Sequence, residues 1–237
     1  MPVTDRSAAR RSANVSSSQP DPKPANNNIT LADVRVFAAP PPAPATARYL
    51  YWGDGNSLRR MRTDGSPAET VVGYPTVGSE IIQGVAVDSV NGHVYFASRP
   101  NALAGNGYIR RVNLDGSGLL TIYTDDTAAW PMQLTLDSVN NQLYFADYGA
   151  AGDDSIKRMN LDGSGATAVI SNITRPTALA VNSLRGEIYW SDSSGQLLRA
   201  DLNGANPQAI TSGVYAFELT VDAYADLLYF RTKTDAS

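Results

Sequence analysis

The feature that most constrains the fold is a six-residue motif that occurs five times between residues 49 and 232. Each copy has an aliphatic residue, a tyrosine, a second aromatic residue, usually a small residue, and often an aspartate. The copies are YLYWGD (49–54), HVYFAS (93–98), QLYFAD (142–147), EIYWSD (187–192) and LLYFRT (227–232). Their tyrosines, 44, 49, 45 and 40 residues apart, are Tyr51, Tyr95, Tyr144, Tyr189 and Tyr229. A period of about 45 residues is typical of an array whose unit is a four-stranded sheet.

The segments around the motif repeat as well. An alternating strand ending in a turn precedes the four later copies, at GVAVDSVNG (84–92), QLTLDSVNN (133–141), ALAVNSLRG (178–186) and ELTVDAYAD (218–226). A strand ending in Asp-Gly or Asn-Gly follows the first four, at LRRMRTDG (58–65), IRRVNLDG (109–116), IKRMNLDG (156–163) and LLRADLNG (197–204). Those dipeptides suit tight hairpin turns, and a shorter strand such as LLTIY (119–123) comes next. Each repeat is therefore predicted to be four antiparallel strands.

The motif strand predicts burial on both of its faces. In an extended strand Leu50 and Trp52 point to one side, whereas Tyr51 and Gly53 point to the other. Both sides are then apolar, as expected for a sheet packed between two neighbouring sheets. We expect Trp52 and Trp190 to be buried in this way. The aromatic pairs of the motif are Tyr51–Trp52, Tyr95–Phe96, Tyr144–Phe145 and Tyr189–Trp190.

Two polar columns accompany the aromatic residues. Three motif aspartates, predicted to accept hydrogen bonds from turn amides, are Asp54, Asp147 and Asp192. An arginine column on the following strand consists of Arg60, Arg111, Arg158 and Arg199. We interpret this column as structural, with guanidinium groups that stack on aromatic rings or pair with the motif aspartates. A ligand-binding column is the alternative.

These motifs, in this order over residues 48–237, resemble the YWTD repeats of the LDL-receptor class B family. The chain departs from that pattern at the threonine position, where it has Gly53, Ala97, Ala146, Ser191 and Arg231. It also lacks the aspartate in two copies, at Ser98 and Thr232. The resemblance implies an all-β propeller of four-stranded antiparallel blades that binds other proteins. It also implies an extracellular or particle-associated location, although the chain shows no signal peptide.

The chain has too few repeats to form a closed propeller by itself. By resemblance six blades are expected, which need about 270 residues, whereas 190 follow residue 47. The array has about four to five repeats, with complete blades from residue 84 to about 211 and a partial blade on each side. This predicts a fragment, an open propeller, or a propeller completed by another subunit. Because uncovered blade faces and strand edges associate readily, a homo-oligomer or a partner chain is expected.

The first 47 residues have a different composition. Residues 1–28 are rich in Ser, Pro, Asn and Arg and have almost no large apolar side chain, which predicts disorder. Residues 29–39 have enough β-branched and aromatic residues for one strand or a short docking segment, which would cover an edge of the array. PPPAPA (40–45) predicts a stiff spacer. We therefore divide the chain into an N-terminal arm, 1–47, and a repeat region, 48–237.

The longest loops of the repeat region are predicted to lie on one face. They connect the second and third strands at 98–108 and 147–155, and successive blades at 73–80 and 124–131. Long loops on a rigid scaffold are where binding sites usually occur. The predicted binding residues, of types enriched in interface hot spots, are Tyr74, Arg99, Trp130 and Tyr148. Packing of Tyr74 and Trp130 between blades is an equally good interpretation.

Composition restricts the remaining functions. The chain has no cysteine and one histidine, His93, so thiolate chemistry and multi-histidine metal sites are excluded. A net charge of −4 argues against nucleic acid, and no apolar run is long enough to span a membrane. We expect a non-catalytic interaction or scaffold module without a cofactor. The alternative is a calcium-dependent propeller hydrolase or lactonase, with oxygen ligands from Asp125, Asp126, Asp153 and Asp154.

Overall fold

The computed structural model describes residues 48–74, 80–101, 105–125, 129–149 and 154–232. Two of the predicted calcium ligands, Asp126 and Asp153, lie outside these described residues. The whole N-terminal arm, 1–47, also lies outside the described residues. The strand expected at 29–39 and the disorder expected for 1–28 therefore stay predictions, as does the role of Asp126 and Asp153. None of the described segments is a helix, and so none provides a helix that could cross a membrane.

The described residues form five antiparallel sheets, which we call blades 1 to 5. Blade 1 contains β1 (Tyr49–Asp54), β2 (Ser57–Arg62) and β3 (Glu69–Gly73). Blade 2 contains β4 (Glu80–Asp88), β5 (His93–Pro100), β6 (Tyr108–Asn113) and β7 (Leu120–Thr124). Blade 3 contains β8 (Trp130–Asp137), β9 (Gln142–Tyr148), β10 (Ser155–Asn160) and β11 (Thr167–Ser171). Blade 4 contains β12 (Pro176–Asn182), β13 (Glu187–Asp192), β14 (Gln196–Asp201) and β15 (Gln208–Ser212), and blade 5 contains β16 (Ala216–Asp222) and β17 (Leu227–Thr232).

This topology confirms the predicted fold class, an all-β, partial or open β-propeller of four-stranded antiparallel blades. Strand order within each sheet follows chain order, and each sheet pairs only sequence neighbours. In the described part of the chain three complete blades lie between a three-stranded and a two-stranded sheet. Blade 1 starts at a second strand and blade 5 stops at one, as the motif spacing predicts.

The hydrophobic core lies between the blades. Three clusters of buried residues join blade 1 to 2, blade 2 to 3 and blade 3 to 4. Trp190 is 1% exposed and packs in the last of these clusters, so its predicted burial is confirmed. The same prediction for Trp52 is wrong, because Trp52 is only partly buried. Within the described residues, blade 1 has a neighbouring blade on one side alone, which leaves its other face open to solvent.

The hairpin glycines show how closely the blades approach. Gly163 ends the Asp-Gly turn of blade 3 at φ 91°, and a Cβ added there would lie 1.9 Å from the carbonyl oxygen of Ile122 in blade 2. A Cβ added at Gly204 in blade 4 would likewise lie 1.8 Å from the carbonyl oxygen of Val169 in blade 3. Gly65, the equivalent residue in blade 1, has nothing within 4 Å. Glycine at this turn therefore meets two requirements: it adopts a positive φ, and it leaves room for the backbone of the preceding blade.

The arginine column lies opposite the motif tyrosines. In the register of the paired strands Arg60, Arg111, Arg158 and Arg199 face Tyr51, Tyr95, Tyr144 and Tyr189. Arg60 lies over the ring of Tyr49 at 4.6 Å and pairs with Glu69, and Arg199 pairs with Glu187 at 3.1 Å. No described arginine of this column forms an ion pair with a motif aspartate. All four arginines therefore face a motif tyrosine across the strand pair, and two of them, Arg60 and Arg199, also pair with a glutamate.

The three motif aspartates have three different partners. Asp192 accepts hydrogen bonds from the amides of Ser194 and Gln196, as predicted for a turn acceptor. Asp54 pairs instead with Arg59 at 3.0 Å on the exposed face of blade 1. Asp147 pairs with Lys157 inside the joint between blades 2 and 3.

Candidate binding site

A β-bulge recurs at the same place in the first strand of blades 2 to 5. The register shifts between Ile82 and Val85, Pro131 and Leu134, Pro176 and Ala178, and Ala216 and Glu218. A bulge redirects side chains from the regular alternation of a strand. The equivalent bulge residues, all of which line one cavity of about 730 Å³, are Gln83, Met132, Thr177 and Phe217. We call this space the loop-face cavity, because it opens where first strands begin and second strands end.

Four further residues of this cavity form a continuous stack across blades 2, 3 and 4. The Arg99 guanidinium lies 5.1 Å from the ring centroid of Trp130. The Trp130 ring stacks on Tyr148 with centroids 5.9 Å apart and an interplanar angle of 27°. The Arg175 guanidinium lies over the ring of Tyr148, 4.7 Å from its centroid. We call these four residues the aromatic–arginine stack.

The loop at 98–108 holds Trp130 in place. The Trp130 indole donates a hydrogen bond to the Gly105 carbonyl at 3.1 Å. Gly107 approaches the same segment so closely that an added Cβ would lie 2.4 Å from Pro131, and its amide donates to the Ala129 carbonyl. The ring is therefore positioned before any ligand arrives, which lowers the entropic cost of binding.

Asp154 positions the other end of the stack. Its carboxylate is buried and accepts hydrogen bonds from the amides of Gly149, at 3.0 Å, and Arg175, at 2.8 Å. The Asp154 side chain thus holds the backbone of Gly149, which follows Tyr148, and the backbone of Arg175. Arg175 has a φ of 46°, which is rare for a residue other than glycine and needs such support.

The cavity has a positive excess in an acidic chain. Three arginines and one glutamate line it, although the chain has a net charge of −4. Arg231 pairs with that glutamate, Glu218, at 3.2 Å. Among the described residues neither Arg99 nor Arg175 forms an ion pair. Their guanidinium groups contact aromatic rings, and the Nη1 of Arg99 also donates to the Pro100 carbonyl at 3.1 Å.

Three of the four predicted binding residues therefore come together, and the fourth does not. Tyr74 lies at the joint between blades 1 and 2, where the Arg110 guanidinium donates to its hydroxyl at 2.6 Å. Arg110 also pairs with Glu80 at 2.6 Å. Burial raises the pKa of Tyr74 to about 12. Tyr74 occupies the position expected of a residue that packs between blades.

The described members of the predicted calcium set bind protein groups. Asp125 accepts a hydrogen bond from the Tyr123 hydroxyl at 2.8 Å and pairs with Lys157 at 3.0 Å. Lys157 also pairs with Asp147 at 2.5 Å. Burial, only partly offset by Lys157, raises the pKa of Asp147 to about 6. Among the residues that the structure describes, no three acidic or histidine side chains form a metal-sized group.

Sequence reasoning missed Arg175, Arg231 and the bulge residues. One signal could have indicated the bulge column. The strands that contain it repeat the pattern apolar, Thr or Ala, apolar, Asp or Asn, whereas the column itself varies in chemistry, with Gln83, Met132, Thr177 and Phe217. Repeated positions build the blades, and this variable column faces the cavity.

Known proteins resemble the chain in sequence and in fold. No family model matches it. It is 27% identical over 168 residues to the low-density lipoprotein receptor-related protein 1 of Pyricularia oryzae, a match that covers 60% of this chain. The chain spans about half, 53%, of the length of that curated relative.

Solved structures share the architecture at low sequence identity. A chain of the nidogen/laminin complex matches with a TM-score of 0.66 and 19% identity, over 78% of this chain and 70% of that one. TolB from Acinetobacter baumannii matches with 0.64 and 14%, over 81% and 48%. An oligogalacturonate lyase in complex with manganese matches with 0.56 and 14%, over 78% and 56%. These solved structures show the β-propeller fold of the chain.

Proposed function

We propose that this chain is a non-catalytic protein-interaction module that binds a segment of a partner protein in the loop-face cavity. The aromatic–arginine stack is the observation that carries the proposal. Trp, Tyr and Arg are the residue types that dominate binding energy at protein interfaces. Here they lie on the ends of rigid strands, beside apolar surface from Met132 and Phe217. Such a module would act outside the cell or on a particle surface, as the YWTD resemblance implies.

The described carboxylates favour binding over the hydrolase alternative. A calcium-dependent reaction needs several carboxylate or carbonyl oxygens directed at one point. Asp125 interacts with Lys157 and Tyr123, and Asp154 accepts hydrogen bonds from two backbone amides. The likeness to a lyase does not decide the question, because propellers support unrelated functions on one fold.

Selection from a random peptide library on the immobilised full chain tests the proposal. Peptides that bind are measured by fluorescence polarisation against the parent chain and the Trp130→Ala variant. We expect Trp130→Ala to weaken binding by about tenfold or more, as hot-spot truncations do. Tyr224→Ala is the control, since Tyr224 is 94% exposed and does not line the cavity. Peptides that bind both variants as tightly as the parent would place the binding surface elsewhere.

A second function, assembly through blade 5, rests on a different observation. Tyr229 and Phe230 of the fifth motif are 54% and 45% exposed, whereas Tyr144 and Phe145 of the third are both 0% exposed. Because the equivalent residues of the third motif are fully buried, these exposed aromatic side chains mark an interaction surface. We propose that a second copy or a partner chain covers it, head to tail, to make a ring or a filament.

Light scattering on the purified full chain tests this second proposal. Self-assembly predicts a mass well above the 25.3 kDa of one chain, rising with concentration. Phe230→Lys should lower that mass, because it places a charge on the surface to be buried. A monomer at every concentration, with unchanged mass for Phe230→Lys, would exclude contact between copies.

A further inference from the structure

The charge of the loop-face cavity identifies the chemistry of its ligand. We infer that the cavity recognises an acidic peptide segment, in which an aspartate or glutamate carboxylate pairs with Arg175. The inference rests on the proposed function, and it adds the ligand class. It follows from the arginines that the cavity leaves without an acidic partner, and from the way the fold positions one of them.

Arg231 shows what Arg99 and Arg175 lack. Arg231 has its own carboxylate, because Glu218 lies 3.2 Å away on the paired strand. Seven of the described arginines form such ion pairs with aspartate or glutamate. In the same described residues Arg99 and Arg175 have aromatic rings as their charge-stabilising neighbours. A guanidinium over a ring keeps its edge N–H groups available, and these donors match a carboxylate in a bidentate pair.

Arg175 is the better placed of the two. It is exposed at the rim of the cavity, whereas Arg99 is partly buried and its Nε has no hydrogen-bond partner among the described residues. The backbone of Arg175 is held at positive φ by Asp154, whose other oxygen binds the amide of Gly149. Such a supported and locally unfavourable conformation marks a residue whose direction matters.

The rest of the cavity fits a peptide better than a small anion. Met132 and Phe217 provide apolar surface, while Gln83 and Gln133 provide amide groups for a peptide backbone. The Thr177 hydroxyl donates to the Ala216 carbonyl at 2.6 Å, so its oxygen can only accept a hydrogen bond from a ligand. A volume of about 730 Å³ accommodates several side chains. The cavity therefore combines a cationic end for one acidic side chain with apolar contacts for its neighbours.

A peptide array provides the test. Hexapeptides with one position fixed as Asp or Glu are compared with the same peptides fixed as Asn or Gln, on the full chain. Charge-assisted hydrogen bonds predict a preference of about tenfold for the acidic peptides, weakening as salt is raised. Arg175→Gln should abolish that preference, and Arg175→Lys should retain part of it.

Arg185→Gln is the matched control. Arg185 is also an exposed arginine of the fourth repeat, but it lies in the hairpin after β12 and pairs with Asp226 at 2.6 Å. It should keep the acidic preference, which separates a local contact from the loss of one positive charge. Equal urea midpoints for the Arg175 variants and the parent would show that both remain folded.

The outcomes distinguish the inference from the proposed function. Amide peptides that bind as well as acidic ones, and still require Trp130, would overturn the carboxylate pairing and leave the interaction module intact. Dextran sulfate that binds through Arg175 while acidic peptides do not would replace the peptide by an anionic polysaccharide. Peptide binding that is insensitive to Trp130→Ala would contradict the proposed function itself.

Discussion

Lys157 and Asp147 form an ion pair of 2.5 Å at a joint between blades where Asp147 is 1% exposed. The same ammonium pairs with Asp125 at 3.0 Å, so one cation serves two buried carboxylates. The Oδ1 of Asp147 has no hydrogen-bond partner among the described residues. This arrangement explains why the pKa of Asp147 rises to about 6 in spite of the nearby cation.

The raised pKa predicts a particular pH dependence. A carboxyl whose pKa is about 6 in the folded chain, and 3.8 otherwise, binds more protons when folded between those values. Its contribution to the free energy of unfolding is therefore full below about pH 4 and is lost as pH rises through 6. The change is on the order of 2–3 kcal/mol. Asp147→Asn should remove this contribution, which urea denaturation at several pH values from 4 to 7 would measure. An identical pH slope in parent and variant would contradict it.

The hairpin glycines predict a position-dependent cost of one methyl group. Gly163→Ala combines an unfavourable φ with a clash against the Ile122 carbonyl of the preceding blade. Gly65→Ala is the matched control, because Gly65 has a φ of 85° and nothing within 4 Å. We expect about 1–2 kcal/mol of destabilisation at Gly65 and at least about 2 kcal/mol more at Gly163. Thermal or urea unfolding measures both, and equal losses would mean that the blades do not meet at this turn.

The two motif tryptophans should respond differently to truncation. Trp190→Ala removes a fully buried ring and is expected to lower the free energy of unfolding by about 3–5 kcal/mol. Trp52→Ala removes a partly buried ring on the open side of blade 1 and should cost clearly less. Urea denaturation of the two variants checks the order. A larger loss at Trp52 would indicate that its face is covered in solution.

Asp154 should matter for structure and for binding alike. Asp154→Ala leaves the amides of Gly149 and Arg175 without their acceptor, at an expected cost of about 1–3 kcal/mol. Peptide binding should also weaken, because Tyr148 and Arg175 lose their common anchor. Asp64→Ala, which removes an acceptor in an exposed turn of blade 1, is the control and should leave binding unchanged. Unaltered affinity in a folded Asp154→Ala variant would refute the positioning role.

The sequence predicts the blades well and the site only in part. Period, strand order, hairpin glycines and the incomplete blade at each side all follow from local patterns, since each repeat carries its own turn and strand signals. Arg99, Trp130 and Tyr148 could be predicted as binding residues from the sequence, because they are aromatic and arginine residues in or beside long loops. Arg175 was not, because it stands in a short connection and becomes significant only when its guanidinium reaches Tyr148 of another repeat.

The sequence by itself therefore determined the repeat, its four-stranded unit and the absence of thiol chemistry, because these depend on composition and on spacing along the chain. Tertiary structure decided which side chains share a space. The packing of neighbouring blades buries Trp190 and leaves Trp52 only partly buried. It also places Tyr74 at a different joint from the other predicted binding residues. The β-bulges that direct Gln83, Met132, Thr177 and Phe217 towards one cavity arise where the register of the first and second strands shifts. Register and blade packing depend on contacts between distant residues, which a local pattern does not record.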